Sequence, residues 1–466
     1  MTANSYDLVV IGGGPAGTSG ALAAATFGKR VALVEGEVHV GGAGLNTGTV
    51  PSKALRESAL VISGWRARKL LGVEVSIHRN ATLADFTHHH VGIRDTIREQ
   101  LAQRLQQRQI RTLHGRASFT DPHTIRVVDA AGFETFLTGD KILVATGSSP
   151  LRAPEFPFEH PRVHDSNEIL DIIELPQKLA VVGAGVIGAE YACTFAALGV
   201  EVHLVDGRDS LLPFLDSDIS AAIAKAMRDA GIHFHWREQV LSCLTPDSGG
   251  VLLNLSSGQQ LAVTDVLVAG GRSSNTDGLN LEAAGVALGT RGLIPVNEFF
   301  QSSAPHLYAA GDVIGAPALA STGMEQARVA VCHAFSLVKK VAPPLLPTGI
   351  YTIPEAGMIG VTESAARASG VPYLVGRALY ALNHRGQLIG DENGFLKLIF
   401  RRDDMRLLGV HAVGEQATEL VHIGMTAMLC DATAEVFNRA CFNYPTLGDL
   451  YKHATYDAML QQREQL

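Results

Sequence analysis

One pattern occurs twice in this 466-residue sequence and restricts what it can fold into: an apolar strand, three glycines spaced G-x-G-x-x-G, a helix, a second apolar strand and an acidic residue. The first copy, YDLVVIGGGPAG, contains Gly12, Gly14 and Gly17, and Glu35 ends its second strand 23 residues after Gly12. The glycines permit, in that order, a tight turn, the approach of a pyrophosphate to the backbone, and packing of the helix on the strand. A carboxylate at the position of Glu35 can accept hydrogen bonds from both hydroxyls of an adenosine ribose. This segment is therefore predicted to bind a dinucleotide.

The second copy, KLAVVGAGVIGAEYA, contains Gly183, Gly185 and Gly188, and Asp206 ends its second strand at the same 23-residue spacing. A single G-x-G-x-x-G motif is weak evidence, but here each copy has its strand, helix and acid in the required places. A chain with two complete copies is expected to bind two dinucleotides, one of which can be a permanent prosthetic group. The pattern favours a flavoprotein that exchanges hydride with a nicotinamide nucleotide.

Three later segments agree with that interpretation. ILVATGSSP, with Thr146 and Gly147, is expected to be a strand that returns to the first nucleotide-binding domain. VLVAGGRSSNT, with Gly271, is expected to lead out of the second domain, and HLYAAGDV places Asp312 where a carboxylate could bind a polyol chain. Each segment alone would be an ordinary core strand, and only their order along the chain favours the functional interpretation.

Composition narrows the class of protein further. With 46% hydrophobic residues and 48 glycines, the chain is typical of an α/β fold. A net charge of −8 and a pI near 6.1 argue against general binding to nucleic acid or to an anionic membrane. The segment from Leu179 to Val205 lacks Lys, Arg and Asp, but its glycines predict a strand, turn and helix rather than a membrane span.

The cysteines and the N-terminus indicate a compartment. The five cysteines form no C-x-x-C pair and have no metal-ligand spacing, so they are predicted to be reduced thiols, and no metal is expected. The first strand begins within about six residues of the start, which predicts no targeting peptide. A cytoplasmic location is expected.

Taken in order, these motifs resemble the class-I pyridine nucleotide-disulfide oxidoreductases, the two-dinucleotide flavoproteins that include dihydrolipoamide dehydrogenase and glutathione reductase. The resemblance covers nearly the whole chain, from the Gly12 motif through VPSK, ATG, GRSSN and AAGDV to YPTLGD. The stretches PTGIYTIPEAGMIGVTE, ELVHIGMTAM and FNYPTLGDLY are most similar to the transhydrogenase branch of that family. The resemblance implies an α/β fold with two Rossmann-like dinucleotide-binding domains and a C-terminal α+β dimerisation domain. It also implies that FAD is bound by residues 1–150 and 272–340, that NAD(P) is bound by 151–271, and that the subunit interface lies in 341–466.

The resemblance also implies ligands for particular residues and a homodimer, because family active sites are shared between two subunits. FAD, tight and non-covalent, would be held by Gly12, Gly14, Gly17, Glu35, Gly42, Gly115, Thr146, Gly147 and Asp312. NAD(H) or NADP(H) would be held by Gly183, Gly185, Gly188, Asp206 and Gly271.

The sequence departs from the family pattern where disulfide reductases carry their thiols and their base. Gly44 and Thr49 occupy the positions of the two family cysteines. Tyr444 and Asp449 occupy the positions of the His base and of the Glu that orients it. Passing electrons to a disulfide requires both thiols, and a phenol with a pKa near 10 is a poor base at neutral pH. Disulfide reduction is therefore predicted to be absent, and Gly44 is expected to leave open space beside the flavin.

Lys53 and Glu190 keep the residue types of the family. The resemblance places them as an ion pair beside the flavin N5, where a positive charge would stabilise reduced flavin. The alternative is that Lys53 is a surface cation and Glu190 an exposed helix acid.

The leading hypothesis is hydride transfer from NADPH to bound FAD and then to NAD⁺, with ping-pong kinetics. Asp206 suits the ribose of NAD and should repel the 2′-phosphate of NADP. Arg208 could neutralise that phosphate, or it could be a solvated loop arginine, so the cofactor preference stays open. The alternatives are an NAD(P)H-dependent diaphorase or quinone reductase on the same fold, and a non-catalytic flavin redox sensor.

Two further stretches are interpreted as structural. Thr87–His90 (THHH) contains consecutive histidines, which point about 100° apart on a helix and do not converge on a metal. Ile97–Ile110 is predicted to be an amphipathic helix that packs on its own sheet.

Overall fold

The computed structural model describes residues 4–63, 83–247, 249–338, 343 and 345–464, with the backbone alone for 83–90. The strands are β1 (Ser5–Ile11), β2 (Val31–Glu35), β3 (Arg111–His114), β4 (Arg116–Asp121), β5 (Thr124–Val128), β6 (Glu134–Val144), β7 (Ser148–Pro150), β8 (Val163–Asp165), β9 (Lys178–Val182), β10 (Glu201–Asp206), β11 (His233–Trp236), β12 (Val240–Leu244), β13 (Val251–Leu255), β14 (Gln260–Val263), β15 (Asp265–Val268), β16 (Arg272–Ser274), β17 (Leu307–Ala309), β18 (Thr348–Ile350), β19 (Ala356–Gly360), β20 (Tyr373–Leu379), β21 (Phe395–Arg401) and β22 (Leu407–Val413). The helices are α1 (Pro15–Thr26), α2 (Gly42–Asn46), α3 (Thr49–Ile62), α4 (Leu83–Gln107), α5 (Val186–Ala197), α6 (Ser217–Asp229), α7 (Ala320–Ala334), α8 (Glu363–Ala368), α9 (His384–Ile389), α10 (Ala417–Leu429), α11 (Glu435–Arg439) and α12 (Leu450–Glu464).

The chain divides into two compact units and passes from one to the other five times, at 54/55, 86/87, 151/152, 270/271 and 344/345. Unit 1 comprises residues 1–54, 87–151 and 271–344, and unit 2 comprises 55–86, 152–270 and 345–466. The predicted division into three domains stays a prediction.

Unit 1 is built on a sheet in the order β3-β2-β1-β6-β5-β4, with β17 also paired to β6. Strands β3, β2, β1, β6 and β17 are parallel. Successive residues of β1 point to opposite faces of the sheet and pack in two cores: Val9 packs among β4–β6, while Val10 packs with the small residues of α1 and α7. Small alanines on both helices allow this close packing. The predicted amphipathic helix is the second half of α4, which ends at Gln107, three residues before the predicted end. Leu105 of this helix packs in the same core as Leu33 of β2, so the predicted packing on its own sheet is confirmed.

Unit 2 contains a second parallel sheet, in the order β11-β10-β9-β15-β8. The antiparallel meander β12-β13-β14 packs on one face of it through Val251, Leu253 and Val205. Helices α5 and α6 supply the core of the other face, including Phe195 and Ile223. The order of elements repeats the β1-α1-β2 arrangement of unit 1, as the duplicated pattern predicts.

The C-terminal part of unit 2 is an antiparallel sheet in the order β18-β19-β22-β21-β20, against which α10 and α12 pack. The predicted fold class is thus confirmed: α/β with two Rossmann-like parallel sheets and a C-terminal α+β region. Among the described helices, none combines the length and the apolar character needed to cross a membrane.

A buried lysine joins two parts of unit 2. Lys397 of β21 is fully buried, and its Nζ lies 2.8 Å from Asp216 Oδ1, 2.7 Å from Asp218 Oδ2 and 2.6 Å from Glu363 Oε2. Asp216 is also the N-cap of α6 and accepts the backbone N–H of Glu363 at 2.9 Å. Lys397 and Asp216 are fully buried, whereas the side chains of Asp218 and Glu363 are 33% and 23% exposed, so it is Asp216 that depends most on the ammonium group.

Candidate dinucleotide-binding sites

The turn between β1 and α1 can be formed only with glycines. Gly12 has φ +103°, and a Cβ there would lie 2.3 Å from the carbonyl oxygen of Ala145, the residue that follows β6. A Cβ on Gly17 would lie 1.8 Å from the carbonyl oxygen of Gly12, so helix and strand touch through bare backbone. At both positions of the G-x-G-x-x-G motif, steric contacts with the backbone exclude any residue other than glycine.

The turn between β9 and α5 repeats these constraints. Gly183 has φ +107°, and a Cβ there would lie 2.5 Å from Ala269 O. A Cβ on Gly188 would lie 1.8 Å from Gly183 O, the same separation as at Gly17. The two copies therefore share their backbone geometry as well as their sequence pattern.

The middle glycine of each motif faces space rather than protein. A Cβ on Gly185 would meet no atom within 4 Å, and one on Gly14 would meet only the Cα of Gly42, at 3.7 Å. Both glycines are N-caps, of α5 and α1, so the first backbone N–H groups of each helix point toward that space without a side-chain cap. A helix N-terminus with this approach suits a pyrophosphate, so the residues present fit two dinucleotides.

Glu35 ends β2 and lies over the first turn. Its Oε2 accepts the N–H of Gly13 at 2.9 Å, and its Oε1 accepts the N–H of Glu37 at 2.9 Å. Burial raises the pKa of Glu35, and these two backbone N–H groups oppose that shift only in part. The carboxylate is thereby held where ribose hydroxyls could donate to it.

Asp206 occupies the equivalent place in unit 2 but has an additional partner. Its Oδ2 accepts the N–H of Ala184 at 2.6 Å, as Glu35 accepts that of Gly13. Arg208 then donates Nε to Oδ1 at 2.8 Å and Nη2 to Oδ2 at 2.7 Å. Burial alone would raise the pKa of Asp206, but the hydrogen bonds from Arg208 and the backbone lower it. Arg208 forms a two-pronged ion pair across the carboxylate, while 46% of its side chain is exposed. The role predicted for it in binding a 2′-phosphate stays a prediction.

The other residues predicted for FAD lie in unit 1 at the carboxyl ends of its strands or in the adjoining turns. Asp312 follows β17, and its Oδ2 accepts a hydrogen bond from Ser148 Oγ at 2.6 Å. Arg272 Nε donates to the same Ser148 Oγ at 2.7 Å and lies 3.9 Å from Asp312 Oδ2. Thr146 Oγ1 donates to the backbone oxygen of Asn275 at 2.7 Å.

Ser148 and the pairing of Arg272 were not assigned to the site from the sequence, although ATGSSP and GGRSSN contain them. β7 and β16 pair in antiparallel fashion, and this brings Ser148 beside Ser274. The remaining predicted residues are backbone positions: Gly42 begins α2, Gly115 donates its N–H to Glu35 O at 2.8 Å, and Gly147 and Gly271 have positive φ.

Glu190 lies in α5 and is buried at 7% exposure, so the alternative of an exposed helix acid is wrong. Its Oε1 accepts the N–H of Tyr351 at 2.9 Å within unit 2. Lys53 lies one turn into α3, in unit 1, and is partly buried. The predicted Lys53–Glu190 ion pair stays a prediction.

The positions of the missing thiols lie in α2 and at the start of α3. A Cβ on Gly44 would lie 2.6 Å from Cγ of Pro15. The expected open space at Gly44 is therefore wrong, because the rigid ring of Pro15 occupies it. Thr49 begins α3.

The positions of the missing base also differ from the family arrangement. Tyr444 is 69% exposed, and its ring meets that of His384 edge-on at 5.2 Å. Asp449 Oδ2 lies 3.2 Å from Nε2 of His453, one turn along the chain. Histidines 88–90 lie in α4, but their side chains are outside the described residues, so the prediction made for them stays untested.

Two dinucleotide-type turns on two parallel sheets, each with an acid at the next strand end, define a two-nucleotide oxidoreductase. The chain belongs to the pyridine nucleotide-disulphide oxidoreductase family, whose profile matches residues 6–334 and whose dimerisation domain matches 346–455. It is an oxidoreductase. Membership implies flavin and nicotinamide dinucleotides as cofactor classes and a homo-oligomeric assembly.

Curated relatives confirm the predicted similarity to the transhydrogenase branch. A soluble pyridine nucleotide transhydrogenase from Mycobacterium tuberculosis is 44% identical over 463 residues, covering 98% of both chains. Another with that name, from Pseudomonas putida, is 39% identical and covers 98% of this chain and 99% of its own. Among solved structures, LpdA from Mycobacterium tuberculosis superposes with a TM-score of 0.90 at 27% identity, covering 97% of this chain and 99% of its own. The flavoprotein disulfide reductase RclA from Escherichia coli gives 0.86 at 26% identity, covering 96% and 99%.

Proposed function

We propose that this protein transfers hydride between NADPH and NAD⁺, with FAD bound in unit 1 and the two nicotinamide nucleotides bound in turn at the Gly183 motif. The observation that carries the proposal is the Arg208–Asp206 ion pair. A transhydrogenase must accept, at one site, nucleotides with and without a 2′-phosphate. The relatives named soluble pyridine nucleotide transhydrogenase support the same activity.

The Arg208–Asp206 pair suits both nucleotides for electrostatic reasons. A lone carboxylate at the strand end would accept the ribose hydroxyls of NAD(H) but repel a 2′-phosphate. Here the guanidinium lies against that carboxylate, and 46% of the Arg208 side chain is exposed. A phosphate can therefore meet the guanidinium, which forms two-pronged hydrogen bonds with it, while ribose hydroxyls can still share Asp206.

FAD would be held in unit 1 by the Gly12 turn, Glu35 and Asp312. Glu35 has no arginine at the position corresponding to Arg208, and its two backbone donors leave lone pairs for ribose hydroxyls. When bound, the flavin supplies a hydride acceptor and donor that can serve both nucleotides alternately. Asp312, fixed by Ser148, presents a carboxylate at the carboxyl ends of β6 and β17.

The chemistry requires no thiol. Gly44 and Thr49 cannot pass electrons to a disulfide, so a second nicotinamide nucleotide is the acceptor we propose. Lys53 would place a fixed positive charge beside the reacting ring, and Glu190 would orient it. Glu190 is buried and accepts the N–H of Tyr351, so its carboxylate is held in one position within unit 2.

We also propose that the protein is a cytoplasmic homodimer that uses residues 346–455 as its interface. Large apolar side chains are exposed in this part of the chain, including Leu382 at 76%, Leu388 at 67% and Tyr444 at 69%. A second copy would cover them. The cytoplasm holds both nucleotide pools that the proposed reaction connects.

The test is NADPH-driven reduction of thio-NAD⁺ by the flavin-loaded protein. Reciprocal plots at several fixed thio-NAD⁺ concentrations should be parallel, because one nicotinamide site serves both half-reactions. A protein that reduces quinones rapidly but thio-NAD⁺ not at all would be the diaphorase alternative. A flavin that neither NADPH nor NADH reduces would leave only the redox sensor, and either result would contradict the proposal.

A further inference from the structure

Four polar side chains share one face at the edge of the unit 2 parallel sheet. Glu201 and His203 are alternate residues of β10, and His233 and His235 are alternate residues of the edge strand β11. The two strands are parallel, with His203 paired to His233. Alternate residues of a strand point to the same side, so the register brings all four together.

Their separations are short. His203 Nε2 lies 3.0 Å from Glu201 Oε1, and its Nδ1 lies 3.0 Å from Nε2 of His235. The rings of His203 and His233 are stacked, with centroids 4.8 Å apart. One potential ligand atom from each of Glu201, His203 and His233 lies within 4.8 Å of the others.

The cluster is separate from the candidate nucleotide site. Asp206, which belongs to that site, is at the carboxyl end of β10, whereas Glu201 is at the amino end. His203 is buried at 9% exposure, while Glu201 and His233 are exposed. The site therefore has an anchored inner ligand and two ligands that solvent can reach.

We propose that Glu201, His203 and His233 bind one divalent ion of the borderline class, of which Zn²⁺ is the representative. Neutral imidazoles and a carboxylate are the ligands these ions take, and three protein ligands with a water complete a tetrahedral site. Ligand atoms of such a site lie about 3.3–3.4 Å apart for metal–ligand distances near 2.0–2.1 Å. The His203–Glu201 separation already approaches this, and the exposed His233 has freedom to close.

His235 has the role of an outer partner. If Nε2 of His203 binds the ion, its Nδ1–H donates to Nε2 of His235 at the observed 3.0 Å. A hydrogen bond of this kind fixes the tautomer and the ring orientation of a metal-binding histidine. The arrangement explains why the chain places three histidines together where two would suffice for ligation.

Lys178 of β9 competes for the carboxylate, since its Nζ lies 2.8 Å from Glu201 Oε1. Its side chain is 35% exposed and can turn toward solvent when an ion arrives. Removing this ammonium group should therefore strengthen ion binding, because it removes both a competitor and a positive charge. The bound ion would tie β11 to β10 and act on stability rather than on hydride transfer. This departs from the expectation that the chain binds no metal, which considered cysteine spacing and residues 87–90 but not alternate positions on adjacent strands.

The experiment titrates Zn²⁺ into the chelator-treated, flavin-loaded protein against a chromophoric competitor. We expect one tight site per chain, which His233→Ala weakens by about tenfold or more, on the scale of a lost partner at a metal site. Lys178→Met should tighten binding several-fold. A triple His88→Ala, His89→Ala, His90→Ala variant is the matched control and should keep the tight site.

Folding is monitored by the flavin-to-protein ratio, and Zn²⁺ should raise the thermal midpoint of the wild type but not of His233→Ala. Glu201→Gln provides a second exposed variant and should weaken binding in the same way. Transhydrogenase activity should be unaffected by either variant, so failure of this proposal is distinguishable from failure of the proposed function. Equal affinities in wild type and His233→Ala, loss of binding only in the 88–90 control, or weaker binding in Lys178→Met would overturn it.

Discussion

Arg208 closes over Asp206, with its Nε 2.8 Å from Oδ1 and its Nη2 2.7 Å from Oδ2 of the same carboxylate. Glu35, the matching acid of unit 1, accepts hydrogen bonds only from backbone N–H groups in the described part of the chain. The two halves of the molecule thus share a turn but differ in charge where the adenosine ribose would lie. This difference fits a unit 1 site that holds one nucleotide permanently and a unit 2 site that binds two different nucleotides in turn.

The first prediction concerns Arg208→Ala. It should lower kcat/KM for NADPH about 10- to 100-fold, since a hydrogen bond to a charged group is worth roughly 1.5–3 kcal/mol. NADH should be affected much less, because its ribose carries no phosphate and Asp206 remains. Steady-state kinetics with each donor and thio-NAD⁺ would measure the ratio.

Arg237→Ala is the matched control for that variant. Arg237 is 75% exposed and pairs with Asp209 at 3.0 Å, close in sequence to the same region. Its loss should change kcat/KM little, both for NADPH and for NADH. Equal losses for NADPH and NADH in Arg208→Ala would reject the role of Arg208 in cofactor selection.

The second prediction separates folding from ligand binding at the Gly183 motif. Gly188→Ala should destabilise unit 2 by at least about 1–3 kcal/mol, because its Cβ would clash with the carbonyl oxygen of Gly183. Gly185→Ala should leave the thermal midpoint nearly unchanged, since its Cβ would meet no protein atom within 4 Å. It should nevertheless weaken NADH and NADPH together by obstructing the pyrophosphate, as measured by flavin reduction rates. If Gly185→Ala bound both nucleotides normally, the pyrophosphate would not lie there.

The third prediction concerns Pro15 and Gly44. Gly44→Cys should lower stability by about 1–3 kcal/mol, because its Cβ would lie 2.6 Å from a ring that cannot turn aside. Pro15→Ala/Gly44→Cys should recover much of the loss, which a double-mutant cycle would report as a favourable coupling. Gly92→Ala, at an uncrowded helical position, is the control and should cause no loss. Additive effects of the two substitutions would contradict the contact.

The fourth prediction uses the buried Lys397. Replacing it by Met should cost about 3–5 kcal/mol of unfolding free energy at pH 7, since the fully buried carboxylate of Asp216 would lose its cation. Lys225→Met, which removes an exposed pair with Asp229, should cost under about 1 kcal/mol. Urea unfolding of both variants gives the comparison.

The stability cost of Lys397→Met should also depend on pH in a definite direction. Burial would raise the pKa of Asp216, but Lys397 lowers it, and Lys397 also lowers the pKa of Glu363. Depressed carboxyl pKa values contribute stability above the ordinary values of 3.8 and 4.5, and that stability is lost as the pH falls through the folded values. Without Lys397 burial dominates, so protonation becomes favourable and the cost of Lys397→Met should shrink between pH 7 and pH 4. A cost that is constant over this range would contradict the account.

The glycine turns were predictable from the sequence because their constraints are local. Gly17 meets the carbonyl of Gly12 five residues away, and the acid ends the very next strand, so spacing alone determines the geometry. The C-terminal sheet was predicted only through the family resemblance, because its sequence has no comparable local signature.

Other features required contacts that spacing does not encode. Pro15 and Gly44 are separated by 29 residues, and Lys397 meets Asp216 across 181 residues. The choice of Arg208 to pair with Asp206 rather than point to solvent is a side-chain conformation, which no motif specifies. The histidine cluster depends on the register of β10 and β11, although the alternation in EVH and HFHW could have suggested a shared face.

The most direct test of the central claim follows the flavin colour in an anaerobic cuvette. Adding one equivalent of NADPH to the yellow protein should bleach the flavin absorbance, and adding NAD⁺ should then restore it with formation of NADH. The account predicts that both steps are at least as fast as steady-state turnover. A flavin that stays bleached after NAD⁺ is added, yet recovers with a quinone, would contradict hydride transfer between the two nucleotides.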